Sequence, residues 1–387
     1  MTPRLRVMLV TGAYHPQISS SASQCRAVAR VLADRIEFSV LTTATELSLP
    51  VHEDIDGVPV YRVLVRADRP GGLGGLFRMV GQYRRAARRA DLIHVHGVSR
   101  KNVIVSVLAA LTRVPIVLTL HTSGQDEPQV IRRQGAAAWW SFSRAASVVC
   151  VSPSLAERYL AAGLPADRLV QIPNGIDLER FRPADPDERA RSKQALGLPP
   201  QPVVLFVGFF SRDKRPDFLF DAWQRVASRC PSSLVFVGAS QRSYLEIDPT
   251  LISSLRERAQ AAGLEHRLRF VEPTHQIEQY YRAADAFVLS SRREAMPMAL
   301  LEAMASGLPV GATRLAGVTD RIVTDQVDGL LFDEDDCQGL SAILQTLLED
   351  DDLASRLGRE ARRTVAERFS LASVADQWLR LYARVAA

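Results

Sequence analysis

Two glutamates, Glu294 and Glu302, flank one short helical pattern, Ser290-Ser-Arg-Arg-Glu-Ala-Met-Pro-Met-Ala-Leu-Leu-Glu-Ala-Met-Ala-Ser-Gly-Leu-Pro-Val310. Pro297 suits the first helical position, because it lacks an N–H that would be unpaired there. Gly307 suits the stop, and Pro309 prevents continuation. A helix is therefore expected to open near Met296 with unpaired backbone N–H groups, an end that attracts a diphosphate through hydrogen bonds and the helix dipole. Glu294 lies in the loop just before it and Glu302 more than a turn inside. Carboxylates so placed accept hydrogen bonds from the hydroxyls of a sugar nucleotide and leave the phosphates to the helix end. Glu302 sits amid Leu300, Leu301, Ala303 and Met304, and a carboxylate in so apolar a helix needs a chemical reason.

The histidines offer a second kind of chemistry. His121 ends a strand and can hydrogen-bond a sugar hydroxyl or orient an acceptor, with a structural histidine as the alternative. His94 and His96 alternate along one strand and share a face. No third ligand stands near them in sequence, so they are taken as structural and no metal site is expected. Asn174-Gly175 and Asp328-Gly329 are expected to form turns, with glycine supplying the unusual dihedral.

These residues need strands and helices to hold them. Arg6–Val10, Phe38–Thr42, Val58–Val63, Leu92–His96, Ile116–Leu120 and Ser147–Val151 have the composition of short buried strands, with helical stretches such as Gln24–Leu32 between several of them. The pattern restarts with Val203–Val207, Leu234–Val237, Leu268–Val271 and Ala286–Ser290, separated by helices over Asp217–Ser228, Leu251–Ala262 and Ile277–Ala283. Buried strands joined by helical crossovers imply parallel sheets covered on both faces. The expected fold is α/β: two Rossmann-like, doubly wound domains facing across a cleft, over residues 1–182 and 201–370. Arg182–Pro200, rich in proline and charge, is taken as the linker. Neither first strand is followed by a GxGxxG turn, which disfavours a nicotinamide or flavin enzyme.

A chain of 387 residues builds large cores without staples. Its four cysteines, Cys25, Cys150, Cys230 and Cys337, form no CxxC pair, so neither a disulfide framework nor a zinc site is expected and the cytosol fits best. No apolar run is long enough to span a bilayer, and no signal peptide is read at the start. Charge is uneven: residues 1–190 carry 24 Lys and Arg against 17 Asp and Glu, and the remainder 24 against 26. Arg78, Arg84, Arg85, Arg88 and Arg89 are expected on one helix, either as a solvated face or as a peripheral contact with anionic lipid at the inner membrane face or with an anionic acceptor. Few aromatics interleave with them, so nucleic acid is not an expected partner.

Glu294 and Glu302 followed by Ala-Met-Ala-Ser-Gly-Leu-Pro309 resemble the signature of retaining GT-B glycosyltransferases of family four. Val207-Gly-Phe-Phe-Ser-Arg-Asp-Lys214, Ile172-Pro-Asn-Gly-Ile-Asp177 through Phe181, Asp91 through Gly97, Thr119-Leu-His121 and Asp328 through Phe332 resemble further segments of that family, so the resemblance covers nearly the whole chain. It implies that Glu302 holds the ribose hydroxyls and that Glu294 touches the transferred sugar. It further implies that backbone N–H groups of Ala295, Met296, Pro297 and Met298 grip the distal phosphate and sugar, beside Gly208. Lys214 and Arg212 would neutralise the leaving diphosphate, where developing negative charge needs a cation. The family's usual arginine after the strand-end glycine is replaced by Phe209, and its paired glycines by serines and alanine in the loop Tyr14–Ser23. Backbone N–H groups of Ser20, Ser21 and Ala22 are expected to stand in there. The final helix, 371–387, is expected to pack back on the N-terminal domain. The implied partners are a nucleotide sugar and a glycan, lipid-linked or small acceptor, with no further cofactor required. Base recognition is placed near Val271–Thr274, and acceptor choice in the N-terminal loops including Arg69–Phe77. A non-hydrolysing sugar-nucleotide epimerase shares the architecture and is the alternative, as is a non-catalytic binding protein; the Glu294/Glu302 spacing with Lys214 argues for the transferase.

Overall fold

The computed structural model describes residues 4–17, 19–65, 73–238, 247–248 and 250–387. The chain divides into two compact units, Met1–Gly175 with Leu371–Ala387, and Ile176–Ser370.

In the first unit the elements run β1 (Leu5–Thr11), α1 (Ser20–Val31), β2 (Ile36–Ala44), β3 (His52–Ile55), β4 (Val58–Leu64), α2 (Leu73–Ala86), β5 (Leu92–His96), α3 (Arg100–Thr112), β6 (Ile116–Leu120), α4 (Pro128–Arg133), α5 (Ala136–Ser143), β7 (Ser147–Cys150), α6 (Pro153–Ala161) and β8 (Leu169–Gln171). They form an eight-stranded sheet of order β3-β4-β2-β1-β5-β6-β7-β8, parallel except for the β3–β4 hairpin. β3 and β8 escape a search for buried apolar runs, because β3 is largely exposed and β8 has only three residues.

The second unit contains α7 (Pro186–Ala195), β9 (Val203–Val207), α8 (Pro216–Val226), β10 (Ser233–Val237), α9 (Thr250–Ala261), β11 (Leu268–Val271), α10 (Ile277–Ala283), β12 (Ala286–Leu289), α11 (Met298–Ala305), β13 (Val310–Thr313), β14 (Leu330–Phe332), α12 (Cys337–Glu349) and α13 (Asp351–Arg368). Its six-stranded sheet is wholly parallel, in the order β11-β10-β9-β12-β13-β14. Cores form on both faces, one around Leu205, Phe287 and Leu301, the other around Phe206, Phe220 and Trp223. Both units are thus doubly wound. The last helix, α14 (Leu371–Ala386), buries Val374, Trp378, Leu381 and Tyr382 in the core of the first unit.

Several expectations need correction. The stretch 182–200 is part of the second unit: Asp185 caps α7, α7 packs on α10, and Lys193 Nζ stands 2.7 Å from Asp285 Oδ2. This partly buried ion pair ties a proline-rich, charged stretch into the unit. The basic helix α2 ends at Ala86, so Arg88 and Arg89 lie beyond it, Arg89 with φ +73°. Ser20, Ser21 and Ala22 are not loop residues; they open α1, and the Ala22 N–H is taken by Ser19 Oγ at 3.1 Å. Gly175 needs no unusual dihedral. A Cβ there would stand 2.9 Å from Leu371 Cα, so close chain approach demands glycine. Asp328 does stand in a turn, as expected, but its side chain is buried and accepts from Thr324 N–H (2.7 Å) and Thr364 Oγ1 (2.6 Å), and Gly329 needs no left-handed dihedral. Of the stretch 69–77 expected to govern acceptor choice, residues 69–72 lie outside the described residues, and Leu73–Phe77 open α2.

Candidate functional site

β9 and β12 are paired neighbours in the second sheet, so the loops at their carboxyl ends meet. Ser290, just past β12, donates its hydroxyl to the carbonyls of Lys214 (2.9 Å) and Arg215 (3.0 Å). The Arg292 N–H reaches the Asp213 carbonyl at 2.8 Å, and Arg293 pairs with Asp213. These bonds bring Lys214 Nζ to 2.5 Å from Glu294 Oε1. Their side chains are 27% and 9% exposed, so the pair is shielded enough for its charge to act on a bound anion with little screening.

Arg212 stands apart from this pair. Its side chain is 88% exposed and its Nε lies 3.3 Å from Asp248 Oδ2. Gly208 follows β9 with its N–H on the Val237 carbonyl, and a Cβ on the nearby Gly238 would fall 1.7 Å from the Gly208 carbonyl oxygen. The backbone at these strand ends is therefore packed at contact distance.

Helix α11 begins at Met298, with Pro297 in the capping position at φ −74° and ψ 94°. The expected start near Met296 is thus two residues early: the extended ψ of Pro297 belongs to a residue outside the helix. Pro297 has no N–H, so only Ala295, Met296 and Met298 of that quartet carry a backbone donor. Ala295 and Pro297 are buried, while Met296 and Met298 are partly exposed. The far end closes as expected. Gly307 adopts φ +70°, its N–H bonds the Met304 carbonyl, and the Leu308 N–H bonds the Ala303 carbonyl. This paired pattern satisfies carbonyls that would otherwise be unpaired.

Glu302 projects from α11 toward α10. Tyr281 donates its hydroxyl to Glu302 Oε2 at 2.9 Å and shares it with the Ala299 carbonyl at 3.2 Å. Burial pushes the Glu302 carboxyl up to about 7, against the pull of the Tyr281 hydrogen bond and of Arg180. Tyr281 escaped the sequence reading, because it lies on a seven-residue helix distant in sequence from Glu302. Val271 and Glu272 line a pocket of about 560 Å³ with Phe210, Gly238 and Arg256, in the region where base contacts were expected. Lys214, Glu294 and Glu302 do not line it.

In the first unit, His121 follows β6, its Nε2 2.9 Å from His96 Nδ1. Burial pulls His121 down to about 4, so it is neutral at physiological pH. His94 is buried between Tyr382 (2.6 Å) and Thr119 (2.7 Å). Among the described residues, no group of three or more His, Cys, Asp and Glu is arranged to hold a metal ion. Asp126, which the sequence did not single out, accepts the N–H groups of Val98, His121 and Thr122, each at 2.8 Å. One buried carboxylate therefore stitches the loops after β5 and β6. No described helix is long and apolar enough to cross a membrane.

Comparison with known proteins agrees with the two-unit α/β fold. Residues 188–364 match the model of glycosyl transferases group 1, and residues 22–180 that of glycosyltransferase family 4. The chain is 30% identical to the D-inositol 3-phosphate glycosyltransferase of Xylanimonas cellulosilytica, over 92% of this chain and 89% of that one. It is 31% identical to the alpha-maltose-1-phosphate synthase of Mycolicibacterium smegmatis, over 71% and 74% of the two chains. Among solved structures, Anabaena HepE in complex with UDP and glucose superposes with a TM-score of 0.81 at 21% identity, over 98% of this chain and all of that one.

Proposed function

Since the chain belongs to the group 1 glycosyl transferases of the GT-B fold, we propose that it moves a sugar from a nucleoside diphosphate to an acceptor hydroxyl with retention of the anomeric configuration. Glycosyl transfer follows from the family; the donor contacts, stereochemistry and acceptor are the proposal. The observation that carries it is the Lys214–Glu294 pair at 2.5 Å beside the start of α11, with Glu302 in the same helix. A cation, a helix N-terminus and two carboxylates on adjoining elements suit the diphosphate, the ribose and the sugar of one donor. The UDP found with Anabaena HepE supports testing a uridine donor first.

In the proposed step the acceptor hydroxyl oxygen bonds to the anomeric carbon on the face from which the phosphate leaves. The bond from that carbon to the phosphate oxygen breaks through an oxocarbenium-like state, and the departing phosphate oxygen takes the hydroxyl proton. The products are the glycoside and the nucleoside diphosphate. Lys214 offsets the charge that grows on the leaving group, and Glu294 holds sugar hydroxyls. Neutral His121 offers a hydrogen bond to a sugar or acceptor hydroxyl. Arg212, exposed and paired with Asp248, has to swing to join Lys214 at the diphosphate. Full-length similarity to glycosyltransferases favours transfer over the epimerase alternative.

The test combines a binding panel of UDP, GDP, ADP and TDP sugars with an acceptor screen. The screen starts from small polyol phosphates, as the D-inositol 3-phosphate relative suggests, and extends to glycans and lipid-linked acceptors. Proton NMR of the product reads the stereochemistry: an α-linked donor must yield an α-glycoside, and a β-product would overturn retention. Turnover is expected to persist in a chelator; restoration by magnesium or manganese alone would show a metal requirement.

A further inference from the structure

We propose that Tyr281 is a positioning residue of the nucleotide site: its hydroxyl holds one oxygen of Glu302 and leaves the other for the ligand. The inference rests on the reading of Glu302 as a ribose contact. Tyr281 is fully buried, and its ring packs edge-on against Phe181 (5.8 Å between centroids) and beside Phe287 (6.1 Å). A ring so enclosed delivers its hydroxyl to one place. That place lies between Glu302 Oε2 (2.9 Å) and the Ala299 carbonyl (3.2 Å), so the same proton ties the carboxylate to the first turn of its own helix. Among the described residues, Glu302 Oε1 has no hydrogen-bond partner. The flexible glutamate is thereby held in one rotamer before a ligand arrives, which removes an ordering cost from binding.

The charged surroundings of Glu302 give the arrangement a pH signature. From α10 come Tyr281 and Glu278, and from the stretch before α7 comes Arg180, while the guanidinium of Arg362 on α13 is taken up by the carbonyls of Phe181, Ala305 and Leu178. Ribose hydroxyls donate to a carboxylate, and only its ionised form accepts on both oxygens. Nucleotide affinity should therefore rise as pH increases through about 7 and level off above it. The Tyr281 hydrogen bond favours the ionised form, so its loss moves this transition to higher pH.

The experiment titrates UDP, GDP, ADP and TDP separately into the full chain by calorimetry from pH 5.5 to 8.5, carrying forward the tightest binder. Tyr281→Phe should bind it about tenfold more weakly at pH 7, with the transition displaced upward so that the deficit shrinks by pH 8.5. Glu302→Gln should abolish the transition. The titration of the nucleotide's own phosphate is common to all three proteins and cancels in the comparison. Uniform weakening of Tyr281→Phe at every pH, or affinity within twofold of wild type, overturns the role of Tyr281. If Tyr281→Phe melts too low to titrate, 3-fluorotyrosine at position 281 keeps the ring and strengthens the donor. The transition must then move to lower pH, and an unmoved transition overturns the proposal. Wild-type affinity in Glu302→Gln, or no diphosphate binding to wild type, instead overturns the ribose reading on which the inference stands.

Discussion

Lys214 Nζ stands 2.5 Å from Glu294 Oε1, although the two residues are 80 positions apart in the chain. The contact exists because β9 and β12 are sheet neighbours and because the Ser290 hydroxyl holds the Lys214 carbonyl. In the proposed reaction the lysine acts on charge that appears only as the leaving group departs. Lys214→Ala should therefore lower kcat by about 10²–10³ while changing KM little. Steady-state kinetics with saturating acceptor measure the split. A pure rise in KM would assign Lys214 to ground-state binding.

Glu302 makes a stability prediction that is separate from activity. Its folded pKa, about 7, lies above the ordinary glutamate value of 4.5. Below 4.5 both folded and unfolded chains carry the proton. As pH rises from there to 7 the unfolded chain loses it first, so this residue's contribution to stability falls, and above 7 the full penalty applies. Glu302→Gln removes the penalty. It should be more stable than wild type at pH 8 by on the order of 1–3 kcal/mol, with the gap closing toward pH 4.5. Denaturant melts across that range measure it.

Asp126 is buried and accepts three backbone N–H groups from two loops. Asp126→Ala leaves those donors without their acceptor and should destabilise the first unit by about 3 kcal/mol or more. Because one of the three belongs to His121, transfer should fall as well, even under conditions where the variant is folded. Urea denaturation combined with activity at low denaturant separates the two effects.

Gly238 lines the pocket beside Val271 and should be intolerant of any side chain. A Cβ there would stand 1.7 Å from the Gly208 carbonyl oxygen, so backbone must move. The segment displaced leads directly to Lys214. Gly238→Ala should lower the melting temperature by several degrees and reduce kcat together, whereas an exposed, open position such as Gly81 should tolerate alanine.

Most of the strands were legible in the sequence, because each is a short run of apolar residues buried on both faces. The stop at Gly307 was legible for a local reason as well: a left-handed residue after a helix favours glycine. Glu302 could be singled out because a carboxylate among Leu300, Leu301 and Met304 contradicts the ordinary pattern of an apolar helix, and Glu294 because it stands in the loop just before that helix. The start of α11 was misplaced, since proline is compatible with both the capping position and the first helical one, and only the observed ψ distinguishes them.

What the chain alone determined was therefore local: which stretches are buried, where helices stop, and which acidic and basic residues are chemically out of place. The tertiary structure decided who meets whom. It set Tyr281 on Glu302, Asp126 on the loops after β5 and β6, Lys214 on Glu294, and Trp378 and Tyr382 of α14 in the core of the first unit. It also drew α7 into the second unit through Lys193 and Asp285. Apart from the bonds of Asp126 to His121 and Thr122 within one loop, these contacts join residues far apart in sequence, and their existence depends on strand order and crossover path. Hydrophobic periodicity specifies a face for every element and leaves its neighbour undetermined.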